Sequence, residues 1–182
     1  MNAYNAIDKA LRVQYNYKTQ KGDAFSAPDG TPVKVIYTDE KKQLTTALAE
    51  HIAFDLDTDT FELSGAVRIE RPSKDGTQRI SADKVIIRQA ENFVELQGNA
   101  ALTDERYRMR ADTIVYDGAN NSVYAKGSRP LMEGTAEQGT FAIIADEAVS
   151  DSEGRKVELN GHVQGWLVSP ELKKAEKSAP RI

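Results

Sequence analysis

Residues 80–100 read ISADKVIIRQAENFVELQGNA, and the same pattern occurs four times along the chain. It consists of a small residue, an acid, apolar positions, a polar turn and an alternating run that ends on glycine. The units begin at Ala49, Ala82, Ala111 and Ala145 and end at Gly65, Gly98, Gly127 and Gly161. Each alanine precedes its glycine by 16 residues, whereas successive alanines are 33, 29 and 34 residues apart. Constant units with variable connections predict a repeat protein.

The end of each unit alternates with the period of two that is typical of a half-buried β-strand. The apolar positions four and two residues before each glycine are Phe61 and Leu63, Val94 and Leu96, Val123 and Ala125, and Val157 and Leu159. The residues between them are mostly polar, so we expect them to face the opposite way.

The beginning of each unit also alternates, but its phase slips by one residue after the alanine. Ile80 and Ala82 follow one phase, and Val85 and Ile87 follow the other. A β-bulge would return both stretches to the same face. The repeats therefore predict an all-β fold built from two-strand units with one apolar face.

Residues 1–43 follow this pattern less closely. Residues 8–10 align with residues 83–85, which predicts that the chain begins inside a unit whose upstream strand is absent. The alternation over residues 11–17 favours a strand, whereas the apolar spacing over residues 3–11 also fits a helix. Both interpretations stay open at this point.

We expect residues 1–169 to form a single domain. Residues 170–182 are polar and non-periodic, so they are expected to form a loose tail or a short helix. The residues before Val13 contain no apolar run of signal-peptide length, so neither a signal peptide nor a membrane anchor is visible.

The overall composition argues against several classes of protein. The chain has 182 residues, of which 40% are hydrophobic and 29% charged, as is typical of a folded soluble protein. Its net charge of −4 gives no indication of the basic surface of a nucleic-acid-binding protein. It has no cysteine, which excludes disulfides, thiol catalysis and thiolate metal sites.

The sequence contains no motif of a catalytic nucleophile, a phosphate-binding glycine loop or a metal cluster, so we predict no catalytic, metal or cofactor site. The two histidines, His51 and His162, fall at unrelated positions of the repeat. We expect both to face solvent without a common role.

An acid follows the alanine in every unit: Glu50, Asp83, Asp112 and Asp146. These carboxylates could be interpreted as catalytic groups for polysaccharide cleavage or as a calcium ladder. Catalytic pairs are singular, however, whereas structural features recur in every repeat. We therefore expect these acids to bind backbone donors beside the bulge.

Three arginines, Arg106, Arg108 and Arg110, alternate with apolar residues and are expected on one strand face. They are candidates for phosphate contacts because guanidinium groups bind phosphate through two parallel hydrogen bonds. The alternative is that they are outer charges that protect the sheet from aggregation. Trp166 could cover the core or contact a partner.

The stretches 80–85, 94–100 and 109–117 resemble the OstA-type repeat of the LptA family, which includes LptC and the N-terminal domain of LptD. The turn at residues 30–33, echoed at 127–130, is similar to the glycine and proline turn of that family. The resemblance covers about residues 5 to 168. It implies an open antiparallel β-jellyroll, shaped like a taco, located in the periplasm and involved in outer-membrane biogenesis.

The resemblance also implies that the groove binds lipopolysaccharide through the acyl chains of lipid A and bridges the two membranes. Implied partners are LptC-like and LptD-like jellyrolls stacked on the edge strands, and a head-to-tail homo-oligomer. With the facing deduced above, the expected groove residues are Phe54, Phe61, Leu63, Val67, Ile80, Val85, Ile87, Val94, Leu96, Met109, Ile114, Tyr116, Val157 and Leu159.

Three other interpretations remain. The chain could be the periplasmic domain of an LptC or LptD relative, a self-assembling structural β-solenoid without ligand, or an enzyme that uses the acidic positions. A lipid carrier must leave a gap between its sheets, whereas a solenoid packs its interior densely. The sequence does not measure that gap.

Overall fold

The computed structural model describes residues 4–38, 42–73, 76–136, 139–151 and 156–168, and every regular element within them is a β-strand. The first eight strands are β1 (Tyr4–Lys9), β2 (Arg12–Asn16), β3 (Lys21–Phe25), β4 (Val33–Thr38), β5 (Leu44–Ala49), β6 (His51–Asp55), β7 (Thr60–Ser73) and β8 (Gly76–Arg88). The others are β9 (Phe93–Thr103), β10 (Tyr107–Asp117), β11 (Ser122–Lys126), β12 (Leu131–Ala136), β13 (Gly139–Ile144), β14 (Glu147–Asp151), β15 (Val157–Asn160) and β16 (Gln164–Val168). The all-β prediction is confirmed.

All the described strands belong to one antiparallel sheet that is folded into two walls. Wall A runs in the order β1-β4-β5-β7-β8-β9-β10-β12-β13-β16, and wall B runs β2-β3-β6-β7-β8-β9-β10-β11-β14-β15. The four long strands, β7 to β10, pass through both walls, while each short strand belongs to one. The architecture is the predicted open antiparallel jellyroll.

The two walls meet along a line of β-bulges, called the seam here. The register of β7 with β8 shifts between Ser64 and Val67, and the pairs that follow shift at the corresponding place. Gly65 and Ala66 both have positive φ, as do Gly98 and Asn99. Two successive left-handed residues turn each long strand sharply, so one strand serves both walls. The predicted bulge is confirmed.

One row of inward side chains crosses all ten strands of wall B next to the seam. The row consists of Val13, Ala24, Ile52, Leu63, Val85, Leu96, Ile114, Ala125, Ala148 and Leu159. In its middle, Ile52, Val85 and Ile114 are at most 2% exposed. Each such side chain contributes roughly 1.5–3 kcal/mol through burial.

A facing row crosses all ten strands of wall A and completes the core. It consists of Ile7, Val35, Ala47, Ile69, Ile80, Leu102, Met109, Met132, Ile143 and Gly165. Alanines pack between the two rows at the seam, where Ala49 and Ala100 are each 1% exposed. Small residues are needed there because the walls converge.

The first unit corrects two expectations about the N-terminal region. β1 supplies the upstream strand that the sequence pattern indicated to be absent, and it pairs with β4 in wall A. The chain then turns at Ala10 and continues as β2 in wall B, and the Leu11 amide donates a hydrogen bond to the Phe25 carbonyl at 3.0 Å. The region is therefore strand, and the helical alternative is wrong. The predicted tail, residues 170–182, lies outside the described residues, and the domain boundary stays a prediction.

Candidate functional site

The walls diverge away from the seam and leave an open side, called the mouth here. A second inward row of wall B lies at this mouth and consists of Tyr15, Gly22, Phe54, Phe61, Ile87, Val94, Tyr116, Val123, Ser150 and Val157. Phe61, Ile87 and Val94 are only partly buried, unlike the seam row one step deeper. The interior is therefore dry at the seam and accessible at the mouth.

A cavity of about 250 Å³ occupies the N-terminal half of the mouth. Wall B contributes Phe61, Ile87 and Val94, and the opposite face is formed by wall A residues that include Val35 and Ile80. Most of the lining is apolar, and binding pockets for small ligands share this character. Such a lining can accommodate a hydrocarbon chain against its apolar side chains.

The predicted groove residues all lie on the inward rows or at the seam, and they fall into two groups by depth. Leu63, Val67, Val85, Leu96, Met109 and Ile114 are buried. Phe54, Phe61, Ile80, Ile87, Val94, Tyr116, Val157 and Leu159 are half-buried. Five of these fourteen, Phe61, Leu63, Ile80, Ile87 and Val94, line the cavity. Contact with a lipid stays a prediction for every one of them.

An arginine that sequence reasoning missed also lines the cavity. Arg71 follows Val67 and Ile69 in the inward alternation of β7, which carries it to the mouth of wall A. Its Nε donates a hydrogen bond to Oε1 of Gln78 at 2.6 Å, and Gln78 is 8% exposed. The period of two could have placed Arg71 inward, because it continues a run whose first two members are core residues.

The surroundings of Arg71 are short of negative charge. Within the described part of the chain it forms no ion pair with a carboxylate, and its charged or ionisable neighbours are Tyr107 and Tyr116. Loss of hydration lowers the pKa of its guanidinium, and the two phenols oppose this effect. Burial raises the pKa of Tyr107, the Asp104 charge adds to this, and the positive charge of Arg71 opposes it. Arg71 is a cation because a guanidinium keeps its proton in proteins.

The three arginines proposed for phosphate contacts lie elsewhere. Arg108 and Arg110 point outward from β10, on the side of wall A opposite to the cavity, and Arg110 pairs with Glu133 at 2.9 Å. Arg106 precedes β10 in a turn, so the prediction of one strand face for all three is wrong in this respect. Arg108, Arg110 and Arg129 line an outer hollow.

The recurring acids are part of the seam. Asp83 accepts a hydrogen bond from Nδ2 of Asn99 at 2.9 Å, and Asp112 accepts one from Oγ of Ser128 at 2.7 Å. Asp146 accepts one from the backbone amide of His162 at 3.1 Å and contacts its Nδ1 at 2.8 Å. Each of these three aspartates thus binds the residue that follows the glycine of its own unit. The expected backbone donor is present at Asp146, while the other two acids bind side chains.

The histidines have partners that the sequence did not indicate. His51 is half-buried, stacks on the ring of Phe25 at 4.8 Å and contacts Asp23 Oδ1 through Nε2 at 2.8 Å. His51 lies on the outer face of wall B, opposite in facing to Ile52, and remains partly exposed beside these two partners. His162 does face solvent, but its hydrogen bonds to Asp146 lower the pKa of that carboxyl. Over the ranges that the structure describes, no three His, Asp or Glu side chains are grouped to hold a metal ion.

Comparison with known proteins links this geometry to a family. Residues 72–122, from the end of β7 to the start of β11, match the family described as "LptA/(LptD N-terminal domain) LPS transport protein". In this segment the chain is similar to the LptA/OstA family. No curated protein matches it. Among the residues that the structure describes, no helix has the length and apolar character needed to cross a membrane.

A solved structure extends the similarity beyond the matched segment. LptH from Pseudomonas aeruginosa, the LptA-homologous periplasmic component of a lipopolysaccharide transport device, superposes with a TM-score of 0.53 at 17% identity. The alignment covers 69% of this chain and 82% of LptH. At this identity the match establishes the shared jellyroll fold.

Proposed function

We propose that this protein is a periplasmic component of lipopolysaccharide transport that carries the acyl chains of lipid A in its groove and bridges the inner and outer membranes. The observation that carries the proposal is the apolar cavity at the mouth of an LptA-like jellyroll. The matching family is a transport family and not an enzyme family.

The shape of the interior suits a chain-like apolar ligand. The mouth row of wall B runs across ten strands, so a ligand can lie along the groove rather than in a closed pocket. Each methylene group that leaves water for this interior contributes roughly 0.8 kcal/mol. Acyl chains can thus contribute affinity without a charged contact deep in the core.

The two ends of the jellyroll support the finer proposal that neighbouring jellyrolls stack on it. β1 and β2 form one end, β15 and β16 form the other, and each of these strands has a described partner on one side only. Apolar side chains remain exposed there, with Val13 48% and Leu167 51% exposed. Unpaired edges of this kind accept another strand. LptC-like domains, LptD-like domains or further copies of this chain would continue the groove.

The test is photo-crosslinking of lipopolysaccharide to a benzophenone side chain placed at Phe61, Ile87 or Val94. These three residues line the cavity from wall B. Their controls are the outward neighbours Glu62, Ile86 and Glu95, which lie on the same strands and pair with one another. Neighbouring residues of a strand point to opposite faces of the sheet. Each inward position and its control therefore differ mainly in whether the side chain points into the groove.

Crosslinks from the inward positions alone are the expected result. If the inward positions give no crosslink while circular dichroism shows that each variant is folded, the lipid-carrying function is refuted. A structural solenoid without ligand would then be the better interpretation. Equal crosslinking from inward and outward positions would equally contradict a groove, because it would indicate contact with the whole surface.

A further inference from the structure

We propose that Arg71 is an anion site inside the mouth, which binds the phosphate or carboxylate headgroup of an amphiphile whose hydrocarbon chain occupies the adjacent cavity. The inference rests on the proposed lipid-carrying groove and adds a charge preference to it. It concerns the inner face of wall A, and the outward arginines of β10 take no part in it.

The first argument is that no carboxylate of the described residues pairs with Arg71. Arg71 is exposed at the open side of the groove, so an anion can reach its guanidinium from solvent. Within the ranges described, Arg71 has a hydrogen bond to the neutral Gln78 and two phenols nearby. The neighbouring outward arginine, Arg79, has by contrast an ion pair with Glu70 at 3.2 Å. An anionic ligand would give Arg71 the negatively charged partner that Glu70 gives Arg79.

The second argument is the orientation of the guanidinium. Gln78 is buried and binds Nε, so one edge of the guanidinium is fixed against wall A. The two Nη groups form no hydrogen bond with another described residue, and Arg71 lines the cavity. A planar guanidinium whose two Nη groups have no described partner suits the bidentate binding of a phosphate or carboxylate.

The third argument is the position of the charge relative to the apolar lining. Ile69 precedes Arg71 by two residues on the same inward face, and the register pairs Ile69 with Ile80 and Arg71 with Gln78. The polar pair therefore lies one step nearer the mouth than the apolar pair. This order, apolar inside and cationic at the rim, matches an amphiphile that enters chain first.

The experiment uses two amphiphiles with the same chain, anionic dodecyl phosphate and neutral dodecyl maltoside, each titrated calorimetrically into the whole protein. Inorganic phosphate alone forms a third arm. The variants are Arg71→Gln, which removes the charge, and Arg71→Lys, which keeps the charge and loses the fork. Arg79→Gln is the matched control, because it removes an outward arginine from the adjacent strand.

The expected result is that Arg71→Gln weakens binding of dodecyl phosphate by about tenfold or more, which is the loss of a charge-assisted contact. Arg71→Lys should show an intermediate loss, and Arg79→Gln should show none. Binding of dodecyl maltoside should be unchanged in all three variants. Inorganic phosphate should bind far more weakly than dodecyl phosphate, because it lacks the chain.

Three outcomes would overturn the inference, and they differ from a failure of the groove itself. If the wild-type protein binds both amphiphiles and Arg71→Gln leaves both affinities unchanged, the groove stands and the anion site is refuted. Equal affinities for inorganic phosphate and dodecyl phosphate would refute the amphiphile as the ligand. Binding of neither amphiphile by the folded wild-type protein would refute the lipid groove together with the site built on it.

Discussion

Asp83 on β8 lies directly against Gly98 on β9, so that a Cβ atom on this glycine would come within 3.0 Å of the Cβ of Asp83 and overlap its carboxylate. The same acid and glycine meet in the other units, as Glu50 with Gly65 and Asp146 with Gly161. The spacing of alanine, acid and glycine is constant along the chain because the same acid–glycine contact recurs in each unit at the seam.

Gly98→Ala should destabilise the protein by about 1–3 kcal/mol, because the new Cβ adds a steric overlap to the strain of a positive φ. Gly98 has a φ of 71° and faces Asp83. Gly30→Ala is the control, since Gly30 has a φ of 82° but no atom lies within 4 Å of the place that a Cβ would occupy there. Urea unfolding should show the larger loss for Gly98→Ala. Equal losses would mean that the contact with Asp83 is unimportant.

Ile114→Ala should lower the free energy of unfolding by about 2–5 kcal/mol, because it removes buried methyl groups from the seam row. Ile114 is 2% exposed, whereas its neighbour Val115 points to the outer face and is half-buried. Val115→Ala should therefore cost much less. Chemical denaturation of both variants measures the difference, and a larger cost for Val115→Ala would contradict the assigned facing of β10.

The stability of the protein should decrease in acid through its hydrogen-bonded aspartates. Hydrogen bonds from His162 lower the pKa of Asp146, and hydrogen bonds from Asn120 lower the pKa of Asp117. A carboxyl whose folded pKa lies below its ordinary value of 3.8 stabilises the fold above that value. This contribution is lost as the pH falls through the folded pKa.

Thermal unfolding of the wild-type protein and of Asp146→Asn, followed from pH 7 down to about pH 3, measures this linkage. Asp146→Asn should have the lower melting temperature near neutral pH, and the two curves should converge in acid. Glu91→Gln is the control, since Glu91 lies in an exposed turn. A difference between the wild-type protein and Asp146→Asn that grows in acid would reverse the sign of the argument.

End-to-end association should be visible through Trp166, the single tryptophan of the chain, which is 59% exposed on β16. If a second copy adds its edge strand to β16, the indole loses water and its emission shifts to shorter wavelength as the protein concentration rises. Leu167→Lys places a charge on the adjacent inward position and should suppress the shift, as lysines on natural edge strands prevent pairing. A shift that survives this substitution would place the contact elsewhere.

The local rules of β-structure were sufficient to predict the facing of most strands. The positions four and two before each glycine fall on the mouth row and the seam row, as Val94 and Leu96 illustrate. A period of two is a property of the extended backbone and does not depend on distant contacts. The one-residue shift of the apolar alternation after each alanine also predicted the bulges. An extra residue in the strand is what returns both stretches of apolar side chains to the same face.

The first unit and the histidines were harder to predict for a different reason. The strand character of β1 depends on its pairing with β4, which lies more than twenty residues away in the chain. The contact of His51 with Asp23 was missed because it arises from the pairing of β3 with β6. Pairing over such distances depends on the assembled sheet, so local patterns do not indicate it.

The sequence by itself determined the repeat, the strand facing and the seam, because the spacing of alanine, acid and glycine acts through neighbouring residues of adjacent strands. Only the tertiary structure decided which inward residues are sealed and which line an open cavity. Ile114 and Tyr116 follow the same alternation, yet the first is buried and the second only half-buried. Likewise Arg71 became a candidate anion site only because the divergence of the two walls leaves it beside a cavity. That divergence is set by the bulges of all the long strands acting together.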